Sequence, residues 1–212
     1  MHVYYQSVSL FEAPHQKELR AAGWHSRGYL PHFDGRPMPQ FITLHLADSL
    51  PKDVIERWQR ELANLNEQKA KAALQRRIEH YLDQGYGRSY LRVPRVAEMV
   101  QASLLKFDNI RYRLFSWVVM PNHLHCLLKR FEDFEISGIL HSLKSYTAHE
   151  ANKMLGRTGQ FWWEEYFDRY IRDPDHFRKT VRYIENNPVK ARLCRSPEDW
   201  PYSSAWYRKN KK

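Results

Sequence analysis

Trp117-Val118-Val119-Met120-Pro121-Asn122-His123-Leu124-His125-Cys126-Leu127-Leu128 is the stretch on which the fold turns. An apolar run meets a Pro-Asn turn, and a second apolar run opens with two histidines one residue apart. Alternate side chains of a strand share a face, so His123 and His125 stand together while Leu124, Cys126 and Leu128 point the other way. The apolar set can bury itself and leave two imidazoles aimed at one point, as metal chelation requires. A His-X-His triplet also suits two half-buried strand-entry histidines, so the triplet alone leaves both readings open.

Outward from the triplet, residues 111–120 read as one strand and His123–Lys129 as its hairpin partner. Upstream, Phe41-Ile42-Thr43-Leu44-His45-Leu46 reads as a first strand. A helix follows from Pro51, with Val54, Ile55, Trp58, Leu62 and Leu65 at three-to-four-residue spacing. The pattern continues, more polar, to Leu82, and Gly85-Tyr86-Gly87 breaks it. Residues 66–95 thus read as a helical excursion between core elements, with Arg76-Arg77 on a solvated face. From Pro94, Val96, Val100, Leu104 and Phe107 mark another helix.

Downstream, Ile136, Ile139, Leu140, Leu143 and Thr147 mark a helix to about Leu155, ended by Gly156-Arg157-Thr158-Gly159. The aromatic run 161–170 reads as a last strand. Strand, helices, hairpin, helix, strand and helix make an α+β domain over 41–206, an antiparallel-rich sheet with helices packed on it. Residues 1–40 show no periodicity and read as a loop-like segment packed on the core or a ligand. Residues 207–212 form a basic tail.

Composition narrows the function classes. The 212 residues suit one domain with a real core. A net charge of +10 favours a polyanionic partner, nucleic acid first among soluble ones. Cys126 and Cys194 are the only cysteines and form no Cys-X-X-Cys, which argues against a disulfide framework or a zinc knuckle. With no apolar run of transmembrane length and no signal peptide in view, a cytoplasmic protein is expected.

Asp173-Pro174-Asp175 starts the last long helix with a cap, a first-turn proline and an acid near the positive end. At 100° per residue the helix has three faces. Phe177, Val181 and Ile184 form an apolar one, expected on the sheet. Arg178, Lys179 and Arg182 cluster on another, suited to phosphates. His176, Thr180, Tyr183 and Asn187 line the third, and Pro188 is expected to break the helix. Judged alone, Tyr183 reads sooner as a buried tyrosine with a satisfied hydroxyl, and Asn187 as a helix ending before proline.

These motifs resemble a known family. Val-Val-Met-Pro-Asn-His-Leu-His over 118–125 resembles the His-hydrophobe-His motif of the HUH single-strand endonucleases, and more narrowly of IS200-like single-tyrosine transposases. Gly28–Asp34, Tyr166–Asp173, Tyr183–Ala191 and Asp199–Ser204 resemble the REP-associated tyrosine transposase branch. The resemblance covers residues 24 to 206 and is weakest over 60–90.

It implies a ferredoxin-like α+β sandwich, with Tyr183 as nucleophile and His123, His125 and Asn187 as ligands of a divalent magnesium or manganese ion. It further implies cleavage and rejoining of single-stranded DNA beside REP-type hairpins, through a 5′-phosphotyrosine, by a monomer or homodimer. Arg169, Arg172, Arg178, Lys179, Arg182 and Lys190 are the expected DNA contacts. The alternative is a non-catalytic hairpin-binding protein derived from such a transposase. Tyr166 is the rival nucleophile. One departure is Arg192, where the family usually has glycine at the helix exit.

Overall fold

The computed structural model describes residues 24–26, 31–33 and 36–210; the readings for residues 1–23, 27–30 and 34–35 and for the last two lysines lie outside these. Two short strands, β1 (Trp24–Ser26) and β2 (Pro31–Phe33), pair antiparallel within the segment read as loop-like. The main sheet holds β3 (Gln40–His45), β4 (Tyr112–Val119), β5 (His123–Arg130) and β6 (Phe167–Tyr170) in the order β4-β5-β3-β6. All three neighbouring pairs are antiparallel. With helices between β3 and β4 and between β5 and β6, this is the β-α-β-β-α-β order of a ferredoxin-like α+β fold.

Alternation along the strands divides the sheet into two faces. On one, Ile42, Leu44, Leu124, Cys126 and Leu128 are fully buried. They meet Val96, Val100 and Leu104 of α3 (Pro94–Leu105) and Ile136, Ile139, Leu140 and Leu143 of α4 (Ile136–Leu155). Removing one such side chain from water contributes about 1.5–3 kcal/mol. On the other face, Phe41, Val118, Met120 and Leu127 bury Phe177, Val181 and Ile184 of α5 (Pro174–Lys190), the apolar stripe that periodicity assigns to the sheet.

Two further helices fill the β3–β4 connection: α1 (Lys52–Leu62) and α2 (Glu67–Asp83). The helical pattern is not continuous there. Asn66 caps α2 by accepting from the Lys69 amide, so the chain reverses between them. Ile78 and Leu82 of α2, Ile55 of α1 and Leu50 just before it bury against Phe167 of β6, placing α2 on the sheet rather than out in solvent. Arg77 pairs with Glu61 and ties the two helices together.

Three other expectations shift. The last strand spans only Phe167–Tyr170, because Phe161 and Trp162 turn their rings into the core while the segment leans on β3 through Trp163 N–H to His45 O, 2.8 Å. Pro188 does not break α5: it is buried in the last turn, and the helix continues to Lys190. Near the end proline removes few ladder bonds, and the Ala191 amide still reaches Asn187 O at 2.9 Å. The basic tail is helical as far as it is described, within α6 (Ser204–Asn210).

Arg192 itself takes the left-handed conformation, φ 58°. The exit that glycine would make freely is made by arginine, with Leu193 N–H closing on Pro188 O at 2.8 Å.

A histidine–tyrosine centre on one sheet face

The hairpin places His123 and His125 side by side, both fully buried, with ring centroids 4.4 Å apart. Their cross-strand neighbours on β3 are His45 and Thr43, on the same face. Thr43 Oγ1 lies 2.8 Å from His125 Nδ1. Asn122 Oδ1 lies 2.7 Å from His123 Nδ1 while its amide donates to Leu82 O and Tyr86 O, at 3.1 and 3.0 Å. With the Asn122 oxygen as acceptor, His123 Nδ1 carries the proton and Nε2 keeps its lone pair. The Nε2 atoms of both histidines are buried without a hydrogen-bond partner. Burial holds His123 down to about 3 and His125 well below the usual imidazole range, so both rings are neutral and able to ligate.

From across the face α5 brings two of its four predicted polar residues into the centre. The Tyr183 ring lies 5.5 Å from that of His125 and edge-on to Phe41 at 5.8 Å. Its hydroxyl is closed off from solvent and unpartnered, and so is Asn187 Oδ1. Burial, with Glu79 and Asp83 nearby, pushes the phenol above its ordinary range, while Arg169 and the Asn187 amide favour the phenolate. His176 and Thr180 do not join. His176 serves the helix start, accepting from Arg172 N–H at 3.3 Å, and Thr180 donates to His176 O at 2.8 Å. Tyr166 belongs to the core cluster on the other face.

The six predicted DNA-contact cations separate. Arg169 faces inward: its guanidinium carbon sits 5.5 Å from the Phe41 ring, and its Nε is buried and unpartnered. Lys190 donates to Asp83 Oδ2 at 2.6 Å, and Arg178 pairs with Asp175. Arg172, Lys179 and Arg182 are exposed.

Sequence reasoning missed Asp83. An oxygen of its carboxylate and ring nitrogens of His123 and His125 lie within 4.8 Å of one another, a group able to hold a metal ion. Asn187 Nδ2 donates to Asp83 Oδ1 at 3.2 Å, so the predicted amide ligand and this carboxylate adjoin. The unpartnered imidazole nitrogens and amide oxygen suit a divalent cation such as manganese. Thr43 and His45 had a legible signal, polar residues at alternate positions of an apolar strand. A cavity of about 390 Å³ lies elsewhere, between α4 and residues 159–166.

In sequence and in fold the chain is similar to known transposases. Residues 88–187 match the family described as Transposase IS200 like. A REP-associated tyrosine transposase from Escherichia coli (strain K12) is 28% identical over 109 residues, 50% of this chain and 63% of that protein. A solved REP-associated tyrosine transposase bound to a REP hairpin has a TM-score of 0.52 at 19% identity, covering 88% of this chain and 85% of that one. A putative transposase from Deinococcus radiodurans r1 gives 0.31 at 16% identity, covering 77% and 96%. Residues 88–187 thus resemble the IS200-like transposases, and the likeness runs to REP-associated tyrosine transposases. No helix among the described residues is long and apolar enough to cross a membrane.

Proposed function

We propose that this chain cleaves and rejoins single-stranded DNA beside REP-type hairpins, with Tyr183 as the nucleophile. The observation that carries this is the meeting of His123 Nε2, His125 Nε2, Tyr183 Oη and Asn187 Oδ1, all buried and unpartnered, on one sheet face. Buried polar atoms without partners are costly, and four together point to a ligand and a substrate that satisfy them. The hairpin substrate rests on the relatives named above.

His123, His125 and Asn187 are the residues to hold a divalent ion, which when bound supplies Lewis-acid polarisation of the scissile phosphate. Tyr183 Oη attacks phosphorus and loses its proton; the bond to the 3′ oxygen breaks, and that oxygen leaves as a 3′-hydroxyl. A 5′-phosphotyrosine remains, keeping a phosphodiester that a 3′-hydroxyl can reseal by the reverse step. Arg169, beside Tyr183, is placed to meet the phosphate and favour the phenolate. Because the hydroxyl is shielded, DNA has to displace part of its surroundings before attack. Arg172, Lys179 and Arg182 are the outer backbone contacts, each adding about 0.7 to the salt slope on a single strand.

The test is a labelled single-stranded hairpin incubated with the protein and manganese, then denatured. Protein-linked DNA is expected from the wild type and none from Tyr183→Phe, while Tyr166→Phe retains it. An adduct that survives Tyr183→Phe would falsify the assignment; binding without cleavage would favour the non-catalytic binder.

A further inference from the structure

Asp83 lies outside residues 88–187, in the segment where the family resemblance is weakest, yet it faces the centre of the site. It is the last residue of α2, where the helix carbonyls already present partial negative charge and a cation is the favoured neighbour. Its side chain is only 9% exposed. Glu79, one turn back, stacks a second carboxylate on the same side, a like-charge spacing that weakens a helix. Local propensity thus runs against acid at both positions, and such conflicts mark function. The cations set against them are Lys190, at 2.6 Å from Asp83, and Arg169.

The surrounding chain is built to hold this turn. Asn122 orients His123 with its oxygen and grips Leu82 O and Tyr86 O with its amide, so one side chain couples the imidazole to the end of α2. Just beyond, Gly87 at φ +91° passes so close to the β3–α1 turn that a Cβ would lie 2.9 Å from Ser49 Cα. Only glycine allows that approach.

We propose that Asp83 is the carboxylate ligand of the histidine centre, delivered by α2, so that an ion bound there also fastens the last turn of α2 to the catalytic sheet. This rests on the metal-dependent reading above and extends its ligand set. The competing account makes Asp83 merely the ion-pair partner of Lys190.

The two accounts separate in metal binding, independent of DNA cleavage. The metal-stripped full-length protein is titrated with Mn2+ by calorimetry, alongside Asp83→Asn, Lys190→Met and His123→Ala, each checked for folding by circular dichroism. Asp83→Asn and Lys190→Met break the same ion pair, but only the first removes a ligand. Asp83→Asn should weaken Mn2+ binding about tenfold or more, whereas Lys190→Met should keep it or tighten it.

Equal weakening in both variants, or wild-type affinity in Asp83→Asn, overturns the proposal. A wild-type measurement stands beside the variants: Mn2+ should slow amide exchange at residues 78–86, and unchanged exchange overturns the coupling to α2. If the wild type binds no Mn2+, the metal-dependent reading falls with it. If binding is lost in His123→Ala but unaltered in Asp83→Asn, only the Asp83 inference falls.

Discussion

The two faces of the central sheet are made by the same strands and differ in everything else. One is apolar at its centre, Ile42, Leu44, Leu124, Cys126 and Leu128 against α3 and α4, with Gln40 and Arg130 at its margin. The other sets Thr43, His45, His123 and His125 among Phe41 and Leu127. A buried polar face weakens a domain unless ligands complete its hydrogen bonds, and here several atoms stay incomplete. The contrast teaches a division of labour: the apolar face holds the strands in register, which allows the other face to keep unpaired groups poised.

Acid should separate the faces most sharply. His45 and His123 are held down to about 3 and His125 well below the imidazole range, chiefly by burial. Below about pH 6.5 the unfolded chain takes up protons that the folded one refuses, so stability falls from there toward pH 3. The slope is about 1.4 kcal/mol per pH unit for each such histidine. Urea melts of metal-free protein at pH 7, 5.5 and 4.5 check this, and flat stability across that range would sink it. His45→Asn should flatten the slope by one histidine's share.

On the apolar face, Leu124→Ala should cost about 2–5 kcal/mol in the same melts with little change in acid sensitivity. A smaller effect is expected from Thr43→Val, which strips the partner from His125 Nδ1. Mn2+ affinity should drop about tenfold while the far-ultraviolet spectrum stays native; undiminished affinity would mean the polar face is not organised around an ion. Smallest of all, Arg192→Gly relieves the left-handed turn and should raise stability by about 0.5–1 kcal/mol.

The hairpin and the faces of α5 were legible because their signals are local: alternation along β5, and a three-face helix opened by Asp173, whose side chain accepts from the His176 amide. Tyr183 and Asn187, four residues apart, had to share a face. Asp83 was illegible for the opposite reason. It meets Asn187 across 104 residues of chain, and no period in the sequence carries that distance. Pro188 misled because proline is a breaker only where helix remains to be broken. The run 161–166 misled because aromatic content signals burial, and here the rings reach the core while the backbone pairs with the sheet only at the bridge of Trp162 with Leu46.

The alternation that joins His123 and His125 also sends the intervening side chain away. Leu124 separates them, and Cys126, the next residue, is fully buried on the apolar face with its thiol pushed up to about 12. No thiolate therefore forms beside the imidazoles. The donors that remain are nitrogen and oxygen, hard to borderline, so a soft ion such as copper(I) meets none of the sulfur it prefers. A one-residue slip of β5 would exchange the sets, presenting sulfur where imidazole now stands. At the proposed ion site, strand register is thus also the filter for ion type.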